Sequence, residues 1–244
     1  MGKYRVGRVI KSYVSRSVFF YELWFHTYRR HKGSYIRLPD PSDHFYIDGY
    51  PRSGNTYTAG YLKKAFPELN FASHLHTVAA LKISLRLHIP SFIIVRAPEE
   101  AVCSNLYRKV TIKEYMPDKR LIGDMFMNYI MYYEMVIKNM ELDYLHIITF
   151  ASCVKKEIEV IQRVSKVLEI PTRGKTQLEN LLNEYKNEMQ LEETKKESYA
   201  SSLPNIDRQE FKDDYLEKIK EAEQFEKAKS IYEMLTLHDF IGDM

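Results

Sequence analysis

The sequence predicts an α/β protein, a three-layer α/β/α arrangement in which a central, mainly parallel sheet carries helices on both faces. Three observations lead there. Strand-like and helix-like segments alternate β-α-β-α-β-α between residues 43 and 168. A turn rich in Gly and Pro joins the first strand to the first helix. Residues 91–96, Ser-Phe-Ile-Ile-Val-Arg, form a nearly continuous β-branched and aromatic run of the kind buried on both faces of a parallel sheet.

Each element has its own signal. Residues 43–49 read as a short strand, closed by Gly49-Tyr50-Pro51-Arg52-Ser53-Gly54, and helical spacing follows over 55–66. Residues 70–76 are short and ambiguous. Apolar positions 78, 81, 85 and 87 mark a helix that ends at His88-Ile89-Pro90. After the strand at 91–96, Pro98 with Glu99 and Glu100 opens another helix, with Pro in its first turn and acids beside its positive end. A helix rich in Met and Tyr is expected over 121–140, a strand over 144–150 and a helix over 153–168. From residue 176 onward the chain reads as charged helix, with a polar break at 198–205.

The 244 residues, 45% hydrophobic and 28% charged, suit one globular domain, assigned to 38–244, preceded by a basic aromatic arm over 1–37. That arm holds nine Lys or Arg against the single acid Glu22, so the net charge of +3 leaves the remainder at about −5. Its aromatic cluster is interrupted by Glu22 and His26 and falls short of the roughly 20 apolar residues of a membrane span. Neither an anchor nor a signal peptide is expected, and a cytoplasmic location follows, with peripheral membrane contact through the arm as a further reading. The alternative for the arm is a helix packed on the domain by its aromatics. Cys103 and Cys153 lie fifty positions apart without companions at metal-ligand spacing, so neither a disulfide framework nor a metal site is expected. No nucleic-acid partner is expected, and the oligomeric state is not legible.

The chemistry-bearing segment is Gly49-x-x-x-x-Gly54-Asn55-Thr56, which has the spacing of the Walker A loop and lies between a strand and a helix as that loop must. The architecture is therefore expected to be like that of the P-loop NTPases. Backbone N–H groups at such a helix start form a nest for phosphate oxygens. The lysine that reaches the β- and γ-phosphates of a nucleoside triphosphate is replaced by Asn55, while a cation stands three positions earlier as Arg52.

Tyr50-Pro51-Arg52-Ser53-Gly54-Asn55-Thr56-Tyr57 resembles the 5'-phosphosulfate loop of the sulfotransferase family, in its Pro-Arg-Ser-Gly-Asn-Thr variant. Arg96-Ala97-Pro98, with Ser104 eight positions after the arginine, resembles that family's 3'-phosphate site. The likeness is close over 45–109 and looser to 168. It implies an enzyme that uses 3'-phosphoadenosine 5'-phosphosulfate (PAPS) as co-substrate, without a metal. The N–H groups of Ser53, Gly54, Asn55, Thr56 and Tyr57 and the Thr56 hydroxyl would then hold the 5'-phosphate. Arg52 would neutralise charge on the leaving oxygens, Arg96 and Ser104 would grip the 3'-phosphate, and Tyr57 would lie near the adenine. Arg stays protonated where relatives usually carry Lys, so its role narrows to hydrogen bonding and neutralisation.

The family also supplies a histidine base shortly after a short second strand. His74 stands twenty-two positions before Arg96 and is the first choice, with His76 the alternate; on a strand the two would share a face. The late Arg-Lys-Gly segment of many relatives has only the scrambled echo Arg173-Gly174-Lys175, leaving Lys195, Lys196 or Arg208 as substitutes, and the strand ending at Phe150 lacks the usual Tyr-Glu. The acceptor is a hydroxyl or amine; the loop variant and the basic arm favour a carbohydrate or glycolipid. The competing readings are a P-loop small-molecule kinase, which should carry the loop lysine and an acidic magnesium partner, and a nucleotide-binding membrane-surface module without catalysis.

Overall fold

A computed structural model describes residues 14–29, 37–113, 117–193 and 206–242. Most of the basic arm, Lys195, Lys196 and the polar break at 198–205 fall outside the described residues, as does the side chain of Arg208.

Four strands form one sheet: β1 (Phe45–Gly49), β2 (Phe71–Ser73), β3 (Ser91–Val95) and β4 (Leu145–Thr149). Their order is β2-β1-β3-β4 and every pairing is parallel, with Ile47 opposite Phe92 and Ile93 opposite Ile147. The crossovers are helical, as parallel neighbours require. Helix α1 (Val18–Trp24) precedes the sheet; α2 (Asn55–Ala65) joins β1 to β2, α3 (Val78–Arg86) joins β2 to β3, and α4 (Pro98–Lys113) with α5 (Lys119–Ile137) joins β3 to β4. After β4 come α6 (Phe150–Lys155), α7 (Glu157–Val167), α8 (Lys175–Glu193), α9 (Ile206–Lys220) and α10 (Phe225–Thr236).

Period-two alternation along buried strands divides the apolar residues between two cores. Tyr46, Ile93, Val95, Leu145 and Ile147 face α3, α4, α5 and α10, whereas Phe45, Ile47, Phe92, Ile94 and Ile148 face α2, α7 and α8. This is the expected three-layer α/β/α fold. Tyr21 and Phe25 of the N-terminal arm are buried in the first core, while Phe19, Phe20 and Leu23 are 68%, 55% and 54% exposed. No described helix is long and apolar enough to cross a membrane.

Of the boundaries that differ from the sequence-based expectation, two have a local cause. The helix expected over 153–168 is two helices, because Lys156 leaves helical geometry at φ −129, ψ 42. The strand expected to reach Phe150 stops at Thr149, whose side chain caps α6 by accepting the Ser152 N–H at 3.1 Å.

The chain moves from β1 to the β2 side and then crosses back to β3, so the topological switch lies between the carboxyl ends of β1 and β3. Ligands bind outside such switch points in open α/β sheets. Gly49 closes β1 there against β3: a Cβ at this position would meet the Ile94 carbonyl oxygen at 2.2 Å, which is backbone and cannot give way. Gly49→Ala is expected to destabilise the fold by about 1–3 kcal/mol or more, measurable as a drop in urea midpoint.

Candidate functional site

The loop from Gly49 to Gly54 turns the chain from β1 into α2. Gly54 provides the left-handed N-cap at φ +93, and Phe150 packs so close that a Cβ there would approach its ring at 2.9 Å. Asn55, where a triphosphate-binding loop has lysine, is turned inward and buried, its Nδ2 donating to the Tyr50 carbonyl at 3.1 Å. Ser53 is fully buried and its N–H closes the turn onto the same carbonyl at 3.1 Å. The first N–H groups of α2 have no intrahelical acceptor and form the positive end of the helix.

Two tyrosines one turn apart on α5 hold this loop and β3 together. The Tyr133 hydroxyl donates to the Ile94 carbonyl at 2.7 Å and accepts the Tyr50 N–H at 3.1 Å; the Tyr129 hydroxyl donates to the Arg96 carbonyl at 2.8 Å. Asn105 Nδ2 reaches the Tyr50 hydroxyl at 3.2 Å. None of these contacts has a sequence signature beyond the Tyr content of the helix.

Arg52 sits at φ +71, a left-handed conformation that costs a non-glycine residue about 1–2 kcal/mol. Its Nε donates to Ser104 Oγ at 3.1 Å, and Arg96 Nη1 donates to the Arg52 carbonyl at 2.9 Å. The structure thus brings Arg52, Arg96 and Ser104 together at the switch point, from the loop, the end of β3 and α4. Arg96 Nη2 pairs with Glu100 at 2.9 Å, its guanidinium carbon lies 4.3 Å from the centre of the Phe150 ring, and its buried Nε has no hydrogen-bond partner. An unsatisfied buried N–H on a permanent cation, beside a helix N-terminus, fits an anionic oxygen. Glu100 also accepts from Lys212 of α9 at 2.8 Å, which carries a C-terminal cation to this corner. Burial alone would push the Glu100 carboxyl up, but Lys212 and Arg96 outweigh that and hold it below the usual range.

The Tyr57 ring packs beside Tyr61 and Tyr185, and its hydroxyl donates to Glu157 at 2.8 Å, a carboxylate also paired with Lys186 at 2.7 Å.

The two histidines lie beyond β2 rather than on it, because that strand ends at Ser73. Both adopt positive φ, +61 at His74 and +52 at His76, and their ring centres are 6.1 Å apart, so they do not share a strand face. The reason is Asp48, fully buried near the end of β1, whose Oδ2 accepts the N–H groups of Leu75 at 3.0 Å and His76 at 2.7 Å. This gathers the chain into a tight turn.

Within that turn the histidines have different surroundings. His74 Nε2 lies 3.1 Å from Thr56 Oγ1, in the first turn of α2, and its Nδ1 lies 2.7 Å from Ser73 Oγ. His76 Nδ1 lies 2.7 Å from Asp48 Oδ1 and 2.8 Å from the Gly49 carbonyl. Burial pushes the His74 imidazole below the ordinary histidine value, the neighbouring His76 adds to that, and Asp48 opposes it only in part. Burial would also lower His76, but the Asp48 charge and hydrogen bond prevail and raise it. The two imidazoles are therefore shifted in opposite directions, His74 toward the neutral form and His76 toward the cation. Among the described residues, no group of three or more His, Cys, Asp or Glu could hold a metal ion.

No protein-family model and no curated protein sequence matches this chain. Among solved structures, the crystal structure of mouse sulfotransferase SULT7A1 complexed with PAP is similar, with a TM-score of 0.52 and 9% sequence identity over 82% of this chain and 91% of that one. The two chains share a fold.

Proposed function

We propose that this chain is a sulfotransferase, which moves a sulfuryl group from PAPS to a hydroxyl or amine of an acceptor. The observation that carries the reading is the convergence of Arg52, Arg96 and Ser104 on a lysine-less phosphate loop, with a neutral histidine against Thr56 of that loop. The similarity to a sulfotransferase complexed with PAP, the product that PAPS leaves behind, supports it.

The first N–H groups of α2 and the Thr56 hydroxyl hold the 5'-phosphate. Arg96, through the Nε left without a partner, and Ser104 take the 3'-phosphate, with Lys212 as the C-terminal cation at that corner in place of an Arg-Lys-Gly segment. His74, in the tautomer whose Nδ1 proton is donated to Ser73, has its Nε2 lone pair on the Thr56 hydroxyl; when that hydroxyl turns to the 5'-phosphate, the lone pair takes the acceptor's proton as the acceptor oxygen attacks sulfur. The bond from sulfur to the 5'-phosphate oxygen breaks, and Arg52 with the helix N–H groups stabilises the charge left on that oxygen. His76 uses its Nδ1 on Asp48 and Gly49, and the Asp48 charge shifts its imidazole toward the cation, which favours His74 as the base.

A carbohydrate or glycolipid at a membrane surface is the favoured acceptor class. The loop variant supports it, together with the exposed Phe19, Phe20 and Leu23 of α1 within a basic stretch of sequence. The kinase reading is less favoured because Asn55 is turned into the loop and bonded to Tyr50 instead of standing as a cation. The test is transfer of label from [35S]PAPS into a panel of phenols, free sugars and extracted glycolipids. Labelled carbohydrate or glycolipid is the expected result; labelled phenol alone would move the acceptor class, and phosphoryl transfer from ATP without sulfuryl transfer would overturn the activity.

A further inference from the structure

A carboxylate buried at the end of a parallel strand costs several kcal/mol unless it is paired and hydrogen-bonded, so its presence asks for a use. Asp48 directly precedes the phosphate loop and is fully buried. Its Oδ2 accepts three hydrogen bonds, from the Tyr46 hydroxyl at 2.7 Å and the N–H groups of Leu75 and His76, while its Oδ1 faces His76 Nδ1. The two flanking histidines keep positive φ, a conformation that persists in non-glycine residues only where the surroundings over-determine it. Two backbone bonds to one fixed carboxylate, with a side-chain bond from the same turn, supply that constraint. The outcome is a His74 ring whose Nε2 is held at Thr56 Oγ1.

We propose that Asp48 is a positioning residue: with His76 as its partner, it clamps the turn after β2 to the start of the phosphate loop and so fixes the His74 imidazole at Thr56. The use of His74 as a base rests on the sulfotransferase reading; the clamp does not. Asp48 comes from the loop strand and its partners from the histidine turn, so the same carboxylate ties the donor side of the site to the base.

Electrostatics follow the geometry. Burial would raise Asp48, but the charge and hydrogen bond of His76 and the bond from Tyr46 bring its carboxyl below the usual value. The groups that face the pair are Tyr46 on β1, Tyr132 and Tyr133 on α5, His74 in the same turn and Arg108 on α4, whose charge opposes that on His76; Thr56 and Ser73 face His74. The raised His76 contributes stability that is complete below its unfolded value of 6.5 and is lost as pH rises through its folded one. The lowered Asp48 contributes stability present above its unfolded value of 3.8 and lost as pH falls through its folded one. The clamp is therefore at full strength between those two unfolded values and weakens on the alkaline side when His76 loses its proton.

The test is side-chain 15N NMR of the full chain and of Asp48→Asn and His76→Gln, titrated with pH, together with the nuclear Overhauser contact between the His74 ring and the Thr56 methyl. In the unaltered protein His76 is expected to titrate at higher pH than His74, and the contact to be present. Asp48→Asn keeps the shape and removes the charge, so the His76 titration should fall and the contact should be lost. His76→Gln removes a cation beside His74, so the His74 titration should move up, which keeps the proposal falsifiable if the Asp48 variant does not fold. A His76 that titrates below His74, or variants that leave titrations and contact unmoved, would overturn the clamp. Neither readout needs a donor or acceptor, so failure of [35S]PAPS transfer sinks the activity and leaves the clamp to be judged on these spectra.

Discussion

Arg52→Ala is expected to lower sulfuryl transfer by about 10²–10³-fold, the loss found when one preorganised donor to a developing oxyanion is removed. In the proposed reaction Arg52, held by backbone strain and by Ser104, would meet the leaving phosphate without reorganisation at the moment of bond breaking. Because that interaction strengthens as charge develops, kcat and kcat/KM should fall together. The fold should survive, since the side chain is only partly buried and lies outside both apolar cores. Steady-state kinetics with [35S]PAPS and far-UV circular dichroism check the two halves of this expectation; a variant that turns over normally would remove Arg52 from the chemistry.

His74→Ala should cost about 10²–10⁴-fold in kcat, the span of general-base contributions. The sign of the pH dependence follows from the surroundings of the ring. Burial and His76 hold the His74 imidazole below 6.5, so the base is deprotonated at neutral pH and kcat should begin to fall only below the ordinary histidine value. In His74→Ala that acid limb should vanish along with the rate. A kcat profile with its acid limb above 6.5 would assign the base elsewhere, and His76 would be the next residue to replace.

What the sequence made legible was local. The strand, glycine loop and helix from 43 to 66, the buried strand ending at Arg96 and the spacing from Arg96 to Ser104 each lie within one or two elements, where periodicity and turn chemistry suffice. Contacts across the fold were not legible. Asp48 meets Leu75 and His76 twenty-seven and twenty-eight positions away, Tyr133 meets Tyr50 across 83 positions, and Lys212 meets Glu100 across 112. In each case a common residue type acquires its role from the packing of α5, α9 or the β2 turn, and no spacing rule announces it. The expectation that His74 and His76 share a strand face failed for the same reason: Asp48 draws their backbone into a turn once β2 has paired for only three residues. The helix expected over 153–168 failed locally, at Lys156, where no Gly or Pro marks the break.

Recognition of a 3'-phosphorylated adenine nucleotide at the switch point underlies the proposed activity, and ligand-dependent thermal stability tests it without any acceptor. Titration with 3'-phosphoadenosine 5'-phosphate, AMP and ATP in the absence of magnesium separates the readings, because a ligand specific to the native state stabilises it by about 2.7 kcal/mol at one hundred times its Kd. For a chain of this size that corresponds to a rise in Tm of roughly 5–10 °C. Such a rise is expected with the bisphosphate, with little response to AMP or ATP, and it should be lost in Arg96→Ala. Equal or greater stabilisation by ATP, or a bisphosphate response that survives Arg96→Ala, would contradict it.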